Sequence, residues 1–285
     1  MQDQVISWFD ENGRDLPWRA PEFTPWGALV SEFMLQQTPV ARVVPKLTQW
    51  LARWATPADL AVDSPGEAVR MWDKLGYPRR ALWLHACAVA IVEKFDGNVP
   101  ETVDALLTLP GVGPYTARAI AVFVFGAHEP VVDTNIRRVI ARHEHGQSDQ
   151  DHPNTARDLA DMAALLPEPS QSPRFNQAVM ELGALVCTAR APRCEVCPIA
   201  SSCAWRSAGY PDTGARGVPK QARYEGSDRQ ARGAVLNVLR EAAHPVSRDE
   251  IDECWSDAPQ RDRAVASLLR DGLIVLVDDE VLALP

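Results

Sequence analysis

No apolar run in the 285-residue chain is long enough to span a bilayer, which excludes a transmembrane helix. A signal-like pattern is missing from the opening residues too. The opening stretch MQDQVISWFDENGRDLPW carries early acids and no basic-then-apolar pattern, so a cytoplasmic protein is expected. There is no surplus of basic charge: 29 Lys and Arg face 38 Asp and Glu, a net charge of −9. This excludes a wholly basic, non-specific nucleic-acid coat but not a local basic face. Arginine is in fact frequent in RRALW, in IRRVIAR and around Arg190 and Arg193. Disorder is excluded by composition, 46% hydrophobic and 24% charged, and the length allows one large domain or two smaller ones. Convincing period-2 strand patterns are absent from residues 1–205, so that part is expected to be all-α.

Cysteine is also scarce, with six in all. Four of them nevertheless sit in the run CTARAPRCEVCPIASSC, as Cys187, Cys194, Cys197 and Cys203, spaced C-x6-C-x2-C-x5-C. Cys87 and Cys254 lie far away and alone. Such clustering points to one metal or iron–sulfur site. Four thiolates match the ligand count of a [4Fe–4S] cluster or of a structural zinc. Zinc sites more often show two C-x2-C knuckles, and here there is one. Two disulfides are the bland alternative, and a reducing compartment disfavours them.

Helical periodicity runs from Val5 to Phe9, Trp26 to Gln36, Val40 to Trp54, Arg79 to Phe95, Asp104 to Thr108 and Tyr115 to Phe125. Thr56-Pro57 and Ser64-Pro65 read as caps followed by proline in a first turn. Composition breaks after the cysteines. The division expected is a helical domain over residues 1–208, a linker over 209–228 and a small domain over 229–285. In the last, helices are expected at Ala231–Arg240, Ser247–Cys254 and Ala258–Asp271, then two strands in LIVLV and VLAL around Asp278-Asp279-Glu280. Three helices and a two-stranded wing resemble a winged helix, whose third helix often reads DNA. Here that helix mixes Arg261, Arg263 and Arg270 with Asp262 and Asp271, so a partner-binding role is equally open.

In LLTLPGVGPYTARAIA a helix ends, Gly111 and Gly113 frame a tight turn, and a new helix starts near Tyr115. Glycines let the backbone turn and approach a ligand without a Cβ. The new helix offers free N–H groups and its positive end to a phosphate. This helix-hairpin-helix pattern grips DNA backbone without reading bases. Further on, EPVVDTNIRRV sets Asp133 just before a helix, where capping alone would explain it.

LPGVG, VVDTN and the four cysteines, in that order, resemble the helix-hairpin-helix–Gly-Pro-Asp superfamily of base-excision DNA glycosylases over residues 1–205. The resemblance implies a mainly α, two-lobed glycosylase fold with a [4Fe–4S] cluster on Cys187, Cys194, Cys197 and Cys203, and a catalytic role for Asp133. Where endonuclease III-like members place a nucleophilic lysine, this chain has Tyr115. With no amine to form a Schiff base, a monofunctional glycosylase is expected. LVSEFMLQQTPVARV, LPWR and MWDKLGY are similar to the MutY-type, adenine-removing branch. That similarity assigns Glu32 as the acid for adenine, and Asn135 and Tyr115 as groups orienting carboxylates and water. Gln37, Trp18, Arg19, Tyr77, Pro78, Gly111, Gly113, Arg190 and Arg193 then become DNA-contact candidates. The implied partner is double-stranded DNA with adenine mispaired with 8-oxoguanine or guanine. The implied setting is a nucleoid-associated monomer, with no membrane partner.

An N7-protonated adenine is a better leaving group, and a carboxyl on an apolar helix face has a raised pKa suited to that transfer. An ionised carboxylate beside the oxocarbenium-like sugar stabilises its charge, and Asp133 near a helix N-terminus is expected to stay ionised. Two features depart from the branch. Pro78 stands where a second, wedging tyrosine is usual, and residues 227–285 are too short for a Nudix-like lesion-reading domain. Adenine removal with a weakened preference for 8-oxoguanine opposite is therefore expected. Alternatives are a thymine/uracil mismatch glycosylase of the same superfamily and a non-catalytic iron–sulfur DNA-binding regulator.

Overall fold

The computed structural model describes residues 1–149, 154–213, 223–278 and 280–285. The chain is mainly helical. In order come α1 (Gln2–Asn12), α2 (Pro25–Leu35), α3 (Val40–Arg53), α4 (Pro57–Ala61), α5 (Pro65–Trp72), α6 (Arg79–Phe95), α7 (Val103–Leu107) and α8 (Pro114–Phe123). They are followed by α9 (Thr134–His143), α10 (Thr155–Leu165), α11 (Ser172–Leu185) and α12 (Ala204–Ser207). The C-terminal part adds α13 (Asp228–Glu241), β1 (Val246–Ser247), α14 (Arg248–Glu253), α15 (Ala258–Arg270), β2 (Val275–Asp278) and β3 (Val281–Ala283). No described helix is long and apolar enough to cross a membrane.

Two compact units interleave along the sequence. One takes residues 1–21, 101–107 and, among those described, 113–213; the other takes 22–100, 108–112 and 223–285. In the first unit, Val5 and Phe9 of α1, Ile136, Val139 and Ile140 of α9, and Phe175, Val179 and Leu182 of α11 form one core.

The second unit is built by strong local signals. Thr24 caps α2 by accepting from the Gly27 N–H at 3.0 Å. Thr56 and Asp59 cap α4 reciprocally, and Ser64 caps α5, each ahead of a first-turn proline as their sequences imply. The apolar stripe of α3 buries Val43, Leu47 and Trp50. Trp50 meets Trp54 and Trp72 edge-on at 4.6 and 5.8 Å, placing tryptophans at the heart of this core.

The C-terminal segment belongs to the second unit. Its helices α13 and α15 pack together, and a three-stranded antiparallel sheet in the order β1-β3-β2 closes it. The short β1, pairing Val246 with Leu282, is invisible to periodicity because it has only two residues. Ser247 and Glu250 form the capping box of α14. Arg70 of α5 donates to the carbonyls of Arg240 and Ala242, and Arg240 donates back to the Val69 carbonyl at 3.0 Å. The Gly66 N–H reaches the Pro285 carbonyl at 2.6 Å, and a Cβ on Gly66 would lie 2.5 Å from that oxygen. Residues 214–222 of the expected linker, including Arg216 and Lys220, lie outside the described residues, as does Asp279.

Candidate active site

α7 and α8 pack against each other on either side of the LPGVG turn. The two glycines there do different jobs. Gly111 has φ +76°, and a Cβ on it would strike Trp83 Cβ at 2.7 Å and the Phe33 ring at 2.8 Å. Gly113 has extended backbone and open space around it, and it caps α8 ahead of Pro114. One glycine makes the turn; the other leaves bare backbone at a helix N-terminus, where an anion can approach. Tyr115, half-buried in the first turn of α8, packs against the cluster of Ala119, Val122 and Val131.

Asp133 is the N-cap of α9. Its Oδ1 accepts from the Ile136 N–H at 2.7 Å and its Oδ2 from the Asn135 amide at 2.8 Å. Burial pushes this carboxyl above its ordinary value, against the two hydrogen bonds and the nearby Arg138, which favour the ionised form. The helix end alone would have held it down; desolvation is the larger effect. The segment leading to it is pinned from α11: Asn176, fully buried, accepts from the Val131 N–H at 2.8 Å and donates to the carbonyls of Glu129 and Ser172. Gly183 of α11 lets the two helices touch, since a Cβ there would sit 2.7 Å from the Asn135 carbonyl oxygen.

Glu32 belongs to the other unit. It is half-buried on α2, between the buried Ser31, Phe33 and Met34. Gln37, exposed, and Tyr77, 52% exposed, both adopt left-handed backbone, at φ +56° and +48°. Such strain in non-glycine residues is usually held for a purpose. The Arg80 guanidinium supports the second turn, lying 4.6 Å from the Tyr77 ring and donating to the Gln36 carbonyl.

Trp18 and Arg19 lie in a short 3-10 turn over Pro17–Arg19. Trp18 is half-buried, but Arg19 is committed inward. It donates to the Glu181 carboxylate at 2.9 Å and to the Arg14 carbonyl at 2.7 Å, over the ring of Phe9. Arg14 adds a bidentate pair to Glu181 at 2.7 and 2.8 Å. The two arginines hold the buried Glu181 carboxyl down at about 2, against desolvation. A depressed carboxyl contributes stability above its unfolded value near 4.5, and that contribution fades as pH falls toward 2. Glu181→Gln is therefore expected to cost roughly 2–3 kcal/mol at neutral pH. Thermal melts of the two proteins should converge between about pH 4.5 and 2; a difference constant with pH would count against the ion pair as the cause.

The four clustered cysteines surround one cavity, together with Val139, Arg142, Leu182, Ile199 and Trp205. None is in a disulfide. Among the described residues, no three His, Cys, Asp or Glu side chains converge on a single-ion site. Sulfurs spread around a cavity suit a multi-atom cluster better than a lone zinc. Burial raises Cys197 to about 11, and Cys194 rises too, so the thiolates need a cation near them. Arg142 supplies one: buried on α9, it donates to Cys187 Sγ at 3.4 Å and to the carbonyls of Thr188 and Ala189 at 2.8 and 3.1 Å. One turn earlier, Arg138 donates to the carbonyls of Cys187 and Gly183 and to Asn135 Oδ1, at 2.7, 2.6 and 2.8 Å. Hydrogen bonds thus run along α9 from Asp133 to the cysteine loop. On that loop Arg190 and Arg193 are exposed, with Arg193 also donating to the Leu185 carbonyl at 2.7 Å. Sequence reading passed over Arg138, Arg142, Asn176, Glu181 and Gly183; the i,i+4 arginines of IRRVIAR were the available signal.

A glycine hairpin opening a helix, a half-buried aspartate capping the next, and a cysteine-lined cavity beyond it define a helix-hairpin-helix protein with an iron–sulfur loop. Residues 30–164 match the HhH-GPD superfamily base excision DNA repair protein family, and residues 187–203 match the iron-sulfur binding domain of endonuclease III. The chain is 54% identical over 283 residues to an adenine DNA glycosylase of Mycolicibacterium smegmatis, covering 99% of this chain and 94% of that one. It is 52% identical to an adenine DNA glycosylase of Mycobacterium tuberculosis, covering 99% and 92%. A solved structure of a thermostable thymine-DNA glycosylase superposes with a TM-score of 0.66 at 27% identity, covering 72% of this chain and 94% of that one. The chain belongs to the HhH-GPD superfamily of base-excision DNA repair enzymes and, within it, to the adenine DNA glycosylase family. It is a DNA-binding hydrolase that carries a [4Fe–4S] cluster, which Cys187, Cys194, Cys197 and Cys203 would hold.

Proposed function

We propose that this chain is a cytoplasmic, monomeric and monofunctional glycosylase that hydrolyses the N-glycosidic bond of adenine mispaired with 8-oxoguanine or guanine. The observation that carries the reading is Asp133, a carboxylate fixed by the Ile136 N–H and the Asn135 amide where it can face a developing sugar cation. Glu32 is its counterpart, the acid that protonates adenine at N7 as the bond breaks. Tyr115 offers no amine, so the sugar is released to water and the strand is left uncut. Extrusion of adenine costs a few kcal/mol, which Gln37, Tyr77 and Pro78 offset by filling the space it leaves, while Trp18, Gly111, Gly113, Arg190 and Arg193 serve DNA contact. The cluster supplies a fixed shape for the cysteine loop, and no electron is needed for this hydrolysis. Residues 229–285 we take as a winged-helix-like module following a glycosylase domain over 1–208 and a linker.

Labelled duplexes holding A:8-oxoG, A:G, T:G and U:G, treated with alkali after incubation, test this reading. Release of adenine from the first two at comparable rates is expected, with strand breaks only after alkali. Release of thymine or uracil instead would select the pyrimidine mismatch reading; strict dependence on 8-oxoguanine would overturn the relaxed opposite-base preference.

A further inference from the structure

The C-terminal module meets α6 at one charged point. Asp271, at the end of α15, accepts from Arg232 of α13 at 2.7 Å and lies 3.4 Å from the guanidinium of Arg79, in the first turn of α6. Beside it, a Cβ on Gly272 would stand 3.9 Å from Leu82 of the same helix. Arg79 is half exposed, and its guanidinium stands 5.3 Å from the Trp83 ring. Trp83 is itself 41% exposed and abuts the hairpin glycine Gly111. With Tyr77 and Pro78 immediately before α6, these residues make a strip of exposed aromatic and cationic surface that runs up to the hairpin turn. Aromatic faces next to a guanidinium are what nucleic-acid backbone and unstacked bases bind.

The module brings the opposite charge to this strip. Residues 223–285 hold eight arginines, no lysine and thirteen Asp and Glu. Of the three arginines expected to make α15 a DNA reader, Arg261 is buried and donates to the carbonyls of Asp252 and Trp255, Arg263 pairs with Asp228 at 3.2 Å, and Arg270 is exposed. An acidic module of this kind adds little attraction for DNA. What it does place beside the strip is the Asp271 carboxylate.

We propose that Arg79, stacked on Trp83, is a DNA-phosphate contact, and that Asp271 competes with phosphate for it. In the free protein the carboxylate occupies the guanidinium. A backbone phosphate displaces it, because a partly exposed ion pair is weak and exchanges readily. The module thereby lowers the grip on any duplex that does not fully engage the enzyme. This inference rests on the DNA binding of the family, not on which base is removed.

Binding of an undamaged duplex, followed by fluorescence anisotropy across a sodium chloride titration, tests it independently of base excision. Arg79→Gln is expected to weaken binding and to flatten the slope of log K against log salt by about 0.9, the loss of one phosphate contact. Asp271→Asn is expected to tighten binding by roughly two- to fivefold, and Asp271→Asn with Arg79→Gln should bind like Arg79→Gln alone. An unchanged slope in Arg79→Gln, no gain in Asp271→Asn, or a gain that survives in the double variant would each overturn the proposal. Cluster absorbance and a thermal melt check the fold. Should Asp271→Asn misfold, the slope of Arg79→Gln still decides whether Arg79 meets phosphate, and Asp271→Ser takes the competition test.

Discussion

Asp133→Asn is expected to lose adenine release by on the order of a thousandfold or more in single-turnover assays while folding as well as the parent or better. The substitution is informative because it separates two roles of one side chain. Asparagine is as good an N-cap as aspartate, so α9 keeps its start, and the acceptor for the Ile136 N–H at 2.7 Å survives. The charge is lost, and with it the acceptor for the Asn135 amide at 2.8 Å. Burial raises the folded pKa of this carboxyl above its ordinary 3.8, so its ionised form costs stability once the pH exceeds that value. Removing the charge relieves that cost, and the variant should melt at an equal or higher temperature at neutral pH. The same sign governs activity. If the ionised form stabilises the sugar cation, activity falls with pH at a higher pH than an ordinary aspartate would set. Asn135→Ala, which removes a hydrogen bond favouring the carboxylate, should move that acid limb higher still. Glu32→Gln should cost roughly 10²–10⁴-fold, the size of a general-acid contribution. Wild-type release by either carboxylate variant would remove it from the mechanism.

How much of this was legible in the sequence depends on how far each interaction reaches along the chain. Caps at Thr56, Ser64, Ser247 and Asp133 are decided within four residues, and all four form. The hairpin glycines and the cysteine spacing are local signals of the same kind. What could not be read is what holds these parts together. Asn176 reaches Val131 across 45 residues, and Glu181 reaches Arg14 across 167. Both look like ordinary polar residues in an amphipathic helix until the pairing is known. Arg19 illustrates the reverse error of emphasis: a motif arginine suggests an outward contact, and its guanidinium turns inward to Glu181. In α15, Arg263 and Arg261, two of the three arginines that suggested a reader, are matched by Asp228 and by carbonyls of the α14 region, contacts between segments that periodicity treats separately.

Cys197→Ser is expected to lose the visible absorbance of the cluster and to lower the melting temperature by roughly ten degrees or more, since binding energy at a site absent from the unfolded chain is folding energy. The reason lies in α9. Arg142 and Arg138 together donate five hydrogen bonds to the cysteine loop and to Gly183, and both guanidiniums are buried. A loop without its four-point anchor cannot keep those carbonyls in register, and each guanidinium left unpaired carries a large desolvation cost. Arg138 also holds Asn135, which donates to Asp133 at 2.8 Å, so disorder in the loop reaches the carboxylate through three consecutive hydrogen-bonded groups on one helix. The exposed Arg190 and Arg193 lose their fixed positions at the same time, and DNA affinity should fall with them. The variant should therefore be weak in folding and in DNA binding together. A protein that melts normally, binds duplex normally and fails only in chemistry would instead assign the cluster a direct part in bond cleavage, and the structural account of the cysteine loop would have to be abandoned.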